Sequence, residues 1–302
     1  MKVAQLEPVG VANTTEILPT VTPETGTCGA SVFGLNLRVS EHSPAVQQLL
    51  VRALHEHGVL FFRFEGDIDT EDHKRIARIF GDLHESYFNR GADPLVSILD
   101  NEKTGSPKYG TDQWHTDVSV VDKPPLAASL RAIKLPKIGG DTMWASMYVA
   151  YETLSSKMQR LLDGLEAVHS TETLLRARPA AREVNLFGQS KSAIHPVVIR
   201  DPVTGRPALY VNSGYTERIV GMSLRESNTI LQMLFDHVNT PDFHVRLKWD
   251  TRTIVVWEER VTQHRAIDDY TGHRVLHRIV INGEAPQAYG HIVRGAEDAL
   301  NA

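Results

Sequence analysis

HVRLKWDTRTIVVWEERVTQHRAIDDYTGHRVLHRIVI, residues 244–281, is the stretch that decides the class of fold. It holds three strand candidates, His244–Trp249, Thr253–Trp257 and His277–Ile281. They are rich in β-branched and aromatic residues and bounded by turn formers such as Asp, Gly and Asn. The same texture recurs upstream at Leu95–Leu99, Leu126–Ile133, Thr142–Ala145, Pro196–Ile199 and Ala208–Asn212, and VLFFRF at 59–64 adds another strand. Four helices are expected between them. The first spans about 43–57, with Ser43 as N-cap, Pro44 at the first helical position and Gly58 as the stop. Its Val46, Leu49, Leu50, Ala53 and Leu54 fall on one face. The second runs over about 71–80 behind Thr70, the third over about 148–167, and the fourth opens at the Ser223/Glu226 capping box and ends near 238. Strands and helices do not alternate, which disfavours a doubly wound parallel sheet. A mainly β fold is expected, a large antiparallel double sheet with flanking helices. Residues 1–27 read as an irregular lead-in, rich in Thr, Pro and Glu, and 28–302 as a single domain.

Bulk properties narrow the function. The chain has 302 residues, 41% hydrophobic and 23% charged, with a net charge of −5. No basic stripe marks a nucleic-acid binder, and no apolar run is long enough to span a membrane. Cys28 is the one cysteine, which excludes an intrachain disulfide and Cys-rich metal sites. The N-terminal MKVAQLEPVG lacks the apolar core of a signal peptide, so a cytoplasmic protein is expected, acting on a small molecule as a homo-oligomer. Neither a Gly-x-Gly nor a phosphate-binding Gly-Lys-Ser/Thr loop, a Gly-x-Ser-x-Gly elbow or a His-Glu-x-x-His helix occurs.

What does occur is Trp114-His115-Thr116-Asp117, the one His-x-Asp or His-x-Glu among fourteen histidines. On extended backbone, i and i+2 share a face, so His115 and Asp117 can converge on one ion. A second histidine would complete a two-His, one-carboxylate facial triad, which leaves coordination positions open for a chelating co-substrate and O2. Taken alone the tripeptide is weak, since a chain this rich in His and Asp should hold about one by chance. The third ligand must come from elsewhere: His264, after the strand Thr253–Trp257 and a short turn-like stretch, with His195, His273 and His277 as rivals. Arg274 and Arg278 lie four apart on a strand-like run and so face one side. One could clamp a carboxylate in bidentate fashion and the other an anionic substrate. His277, adjacent to Arg278, should face away from them.

These residues carry a resemblance. WHTD at 114–117, GGDTMWAS at 139–146, HPVV at 195–198, LYVNSGYTERI at 209–219, VTQHRAIDDY at 261–270 and HRVLHR at 273–278 occur in order. Together they resemble the TauD/TfdA family of Fe(II)/2-oxoglutarate dioxygenases over about residues 45–285. The resemblance implies a double-stranded β-helix (jelly-roll) core, with Fe(II), 2-oxoglutarate and O2 as reactants. It implies His115, Asp117 and His264 as iron ligands, and Thr142 and Arg274 on the distal carboxylate of 2-oxoglutarate. Arg278 is then placed at the anionic end of the substrate, with Tyr215 and Trp257 as aromatic residues near the pocket. Two departures matter. The family's Trp-Asp-Asn-Arg is Trp257-Glu258-Glu259-Arg260 here, so hydrogen bonds near the distal histidine must differ. Where sulfonate- and sulfate-using members carry a substrate-binding histidine, this chain has Ser86, with Tyr87, Asn89 or Thr111 as replacement donors. Hydroxylation of an unactivated C–H bond in a small anionic substrate is therefore expected. A carboxylate is preferred, with a taurine- or alkylsulfate-type dioxygenase, or a non-catalytic binding protein on the same scaffold, as alternatives.

Overall fold

Two faces of apolar side chains, one on each side of the strand Val59–Arg63, explain the layering. In the computed structural model, which describes residues 17–37, 39, 41–86, 92–102, 113–177 and 190–290, Leu60 and Phe62 point to one core and Val59 and Phe61 to another. The strands are β1 (Thr20–Pro23), β2 (Ala30–Phe33), β3 (Val59–Arg63), β4 (Leu83–His84), β5 (Ser97–Asp100), β6 (Ala127–Lys134), β7 (Thr142–Ser146), β8 (Glu166–Ser170), β9 (Ser192–Pro196), β10 (Val198–Arg200), β11 (Pro207–Leu209), β12 (Thr216–Ile219), β13 (His244–Leu247), β14 (Thr253–Glu258), β15 (Thr262–Ala266), β16 (Val275–Ile281) and β17 (Gln287–Ala288). The helices are α1 (Pro44–His57), α2 (Thr70–Arg78), α3 (Met147–Glu152), α4 (Ser156–Leu162), α5 (Thr171–Ala177) and α6 (Leu224–Val238).

The large sheet runs β1-β2-β3-β14-β6-β16-β4, with β5 also on β16; β2 and β3 are parallel and its other pairs antiparallel. One face packs on α1 and α2 through Leu60, Phe62, Ile254, Val256, Ile279 and Ile281. The opposite face meets the small antiparallel sheet β13-β7-β15 across a second core that includes Phe61, Val255, Trp257, Leu276, Trp144 and Leu247. The far side of the small sheet is covered by a third core drawn from α3, α6, β10 and β11. Among the described residues, no helix is long and apolar enough to cross a membrane.

The helix-capping signals act as their chemistry predicts. The Ser43 side chain accepts from Val46 N, Pro44 opens α1, and Gly58 closes it at φ 72°. The Ser223/Glu226 box opens α6. For α2 the cap is Asp69, in a reciprocal box with Asp72, rather than Thr70. The helix expected over 148–167 is two short ones followed by a strand. α3 stops at Thr153, Ser155 caps α4, and β8 follows, because Ser155 satisfies Met158 N and restarts the helix on a new axis. The lead-in is not irregular throughout, since β-branched Thr20-Val21-Thr22 pairs with β2; residues 1–16 lie outside the described residues. The strand expected over 196–199 is divided between β9 and β10.

Candidate metal centre and anion-binding site

His264 stands on β15, a strand that the sequence pattern does not mark, just after the short turn-like stretch that follows β14. The chain at His115 pairs with it in a short antiparallel bridge: His115 N donates to His264 O at 3.1 Å and His264 N to His115 O at 2.9 Å. Residues that exchange both bonds stand directly opposite and project their side chains to one face. The two imidazole centroids are accordingly 4.2 Å apart. Asp117 joins them, its Oδ1 at 3.6 Å from His115 Nε2 and its Oδ2 at 3.6 Å from His264 Nε2. One donor atom from each residue lies within 4.8 Å of the others, so the three can hold a metal ion.

The donor chemistry fits a divalent metal of intermediate hardness. His115 Nδ1 lies 2.8 Å from the Gln113 carbonyl, to which its N–H donates, leaving the Nε2 lone pair for the ion. Burial, reinforced by His115, holds the His264 imidazole well below its usual pKa and so neutral. Burial alone would raise the Asp117 carboxyl, but the Arg278 guanidinium beside it outweighs this and holds the group below the usual carboxylate range. Arg278 Nη2 lies 2.5 Å from Asp117 Oδ2, yet neither atom has a hydrogen-bond partner, so the contact is an ion pair off the hydrogen-bonding directions. Both are buried polar atoms with capacity left for a ligand or ion.

Arg278 comes from the large sheet and the histidine pair from the small one, so the site lies between the two sheets. Arg274 precedes β16 on the same strand face. Its Nε donates to Gly140 O at 3.0 Å, beside the Tyr270 ring, while its Nη2 is buried without a partner. Glycine is required there: at φ 75°, a Cβ on Gly140 would come within 3.2 Å of the Arg274 side chain and of Tyr270. Thr142, two residues on, is buried, and its hydroxyl oxygen accepts from Trp249 Nε1 at 3.0 Å. The Thr142 O–H proton is therefore available to a ligand.

The remaining expected residues divide. Trp257 is wholly buried, its ring centroid 4.9 Å from that of His264. Burial, with the Asp117 charge nearby, raises the Tyr215 phenol, which places it at the same site. Ser86 is buried and its hydroxyl contacts that of Ser97, the residue paired with Arg278 across β5 and β16. Tyr87, Asn89 and Thr111 lie outside the described residues. His195 and His273 stand apart from the metal cluster, and His277 faces α2, near His73, as its position next to Arg278 requires. Glu259 emerges as an unforeseen member. It is fully buried, its Oε2 accepts from Asp117 N at 3.0 Å and lies 3.9 Å from His264 Nδ1. Burial and the neighbouring Asp117 raise its pKa well above normal. The signal was visible in sequence as a second acid directly after an apolar strand.

Comparison with known proteins agrees with this geometry. A family model described as "Taurine catabolism dioxygenase TauD, TfdA family" matches residues 20–280. An alkylsulfatase of Acinetobacter baylyi is 34% identical, the match covering 86% of this chain and 84% of the relative. An alpha-ketoglutarate-dependent sulfate ester dioxygenase of Pseudomonas putida is 32% identical over 88% of this chain and 90% of its own. Among solved structures, a putative alpha-ketoglutarate-dependent taurine dioxygenase from Burkholderia xenovorans superposes with a TM-score of 0.77 at 31% identity, covering 89% of this chain and 94% of the other. The chain belongs to the TauD/TfdA family of dioxygenases that use Fe(II), 2-oxoglutarate and O2.

Proposed function

We propose that this enzyme hydroxylates the carbon bearing the anionic group of a small organic anion, a sulfate ester in the first instance, with His115, Asp117 and His264 holding the iron. The observation that carries the reading is the junction of this triad with Arg278, whose guanidinium reaches from the opposite sheet to the Asp117 carboxylate with donors to spare. In this assignment Arg274 and the Thr142 hydroxyl bind the distal carboxylate of 2-oxoglutarate, Arg278 meets the anionic end of the substrate, and Tyr215 and Trp257 border the reacting region. With iron, 2-oxoglutarate and O2 bound, the centre supplies the power to remove hydrogen from an unactivated C–H bond. The protein supplies placement. Asp117 and the two imidazoles leave coordination positions open, and the two arginines fix two anions by charge and direction. Hydroxylation of the carbon that carries a sulfate group gives an unstable adduct, which collapses to an aldehyde and inorganic sulfate as 2-oxoglutarate becomes succinate and CO2.

A carboxylate substrate, favoured by Ser86 in the sequence, is not what the names of the alkylsulfatase and the sulfate ester dioxygenase point to. The physical ground for it also weakens, because the Ser86 hydroxyl is directed to Ser97. We further infer that the large and small sheets form the two halves of a double-stranded β-helix and that residues 28–302 are one domain. The test is succinate release from a panel of a medium-chain alkyl sulfate, taurine and alkyl- and aryloxy-carboxylates. The alkyl sulfate should show the highest kcat/KM. A carboxylate in first place overturns the sulfate ester. A neutral compound turned over equally by wild type and Arg278→Ala overturns the anion.

A further inference from the structure

Directly after Asp117 the backbone adopts a conformation that its sequence resists. Val118 has φ 53°, the one positive φ at a non-glycine among the described residues. A β-branched residue there is strained and persists only where its surroundings enforce it. The groups that contact this turn are His169 on β8, His195 of the HPVV segment and Asn212, none of which the proposed reaction uses. His195 Nε2 donates to two carbonyls of the turn, Ser119 O at 3.0 Å and Val121 O at 3.1 Å. His169 Nδ1 lies 3.0 Å from Ser119 Oγ, and Asn212 Nδ2 donates to the same hydroxyl at 3.4 Å. Asn212 is itself fixed, because its side-chain oxygen accepts from Tyr215 N at 2.9 Å. The two imidazoles pack edge to face at 5.3 Å, and His169 stacks on Tyr210. His169, His195, Ser119 and Asn212 are all buried.

We propose that His195, His169 and Asn212 are positioning residues that clamp the strained Val118 turn through Ser119 and thereby aim the Asp117 carboxylate at the metal. None of them touches the metal cluster. The turn has two ends: Asp117 is tied at its amide to Glu259 and the chain beyond Val118 is tied to the clamp. With the clamp released, Val118 relaxes to negative φ and the carboxylate swings off its aim. The inference rests on Asp117 being an iron ligand. Asp117→Ala tests that separately, since it removes Co(II) binding only if the assignment holds.

Co(II) affinity of the apo-protein, followed by absorption titration without turnover, reads the clamp directly. His195→Ala should weaken it by about 10–100-fold, the range for residues that orient metal ligands. His195→Gln, whose amide N–H can reach a turn carbonyl, should recover part of the loss. The decisive variants are double ones. In the His195→Ala background, Val118→Gly should restore most of the affinity, because glycine holds positive φ without strain. Val118→Ala, which removes the same side chain and keeps the strain, should not. Should His195→Ala fail to fold, Ser119→Ala deletes the hydroxyl shared by His169 and Asn212 and should weaken Co(II) in the same direction. Unchanged Co(II) affinity in a folded clamp variant overturns the proposal, as does failure of Val118→Gly to restore it or equal rescue by Val118→Ala.

Discussion

Replacing Arg274 by alanine tests the co-substrate site at its most charged contact. The guanidinium has five N–H donors, of which Nε goes to Gly140 O, and the buried Nη2 has no partner. Burial lowers its pKa, while Tyr270 and Asp141 oppose the shift, so it stays cationic and awaits a counter-ion. Stripping one member from a buried charge pair costs about 3–5 kcal/mol. The Arg274 side chain is only partly screened from solvent, so the lower end applies, about 3 kcal/mol, or roughly two decades in affinity for 2-oxoglutarate. Arg274→Lys keeps the charge and loses the planar fork, and should fall between the two. The assay is an anaerobic titration of the Fe(II) protein with 2-oxoglutarate, read by the visible charge-transfer band and independent of substrate. A parallel melt checks that the Gly140 turn survives. An Arg274→Ala protein of normal stability with an unchanged dissociation constant for 2-oxoglutarate would refute the role.

Other outcomes follow from the same contacts. Thr142→Val should lower 2-oxoglutarate affinity and also leave buried Trp249 Nε1 without its acceptor, costing about 1–3 kcal/mol in urea unfolding, whereas Thr142→Ser should keep both; equal stability of the Val variant would count against the contact. His115→Ala, Asp117→Ala and His264→Ala should each abolish metal binding and succinate release while retaining the far-UV spectrum, and any one that binds Fe(II) normally removes that residue from the triad. Burial, with His195 beside it, pushes His169 from 6.5 down to about 3, so the unfolded chain takes up a proton that the folded one refuses. Its contribution to stability is fully present above pH about 6.5 and is lost as pH falls toward 3; His169→Gln should flatten that limb of the urea midpoint against pH, and an unaltered slope would show that His169 does not titrate this way.

What could be read from the residues alone follows from what each side chain faces. β3 and β14 were legible because their inward and outward positions are both apolar or β-branched, as in Val59-Leu60-Phe61-Phe62 and Ile254-Val255-Val256-Trp257. α1 was legible because Ser43, Pro44 and Gly58 act locally. β15 was not, although it carries His264. Its sequence, Thr-Gln-His-Arg-Ala, has no apolar period, since its site-facing position holds a candidate ligand and Gln263, on the other face, donates to Val211 O at 2.7 Å. Val118 gave no warning either, because valine argues for extended backbone, while the contacts around its turn, from His195, His169 and Asn212 to Ser119, come from residues far along the chain. The convergence of His115 with Asp117 was anticipated from an extended i, i+2 pair, but the structure achieves it with a one-residue bridge to His264 followed at once by the strained turn. Local rules fail here for one reason: at the metal centre the inward positions hold donors instead of core residues, and the backbone is held by polar contacts from elsewhere in the chain. The order of the motifs along the chain survives that substitution, which is why a family resemblance could choose His264 where the residues alone left His195, His273 and His277 as rivals.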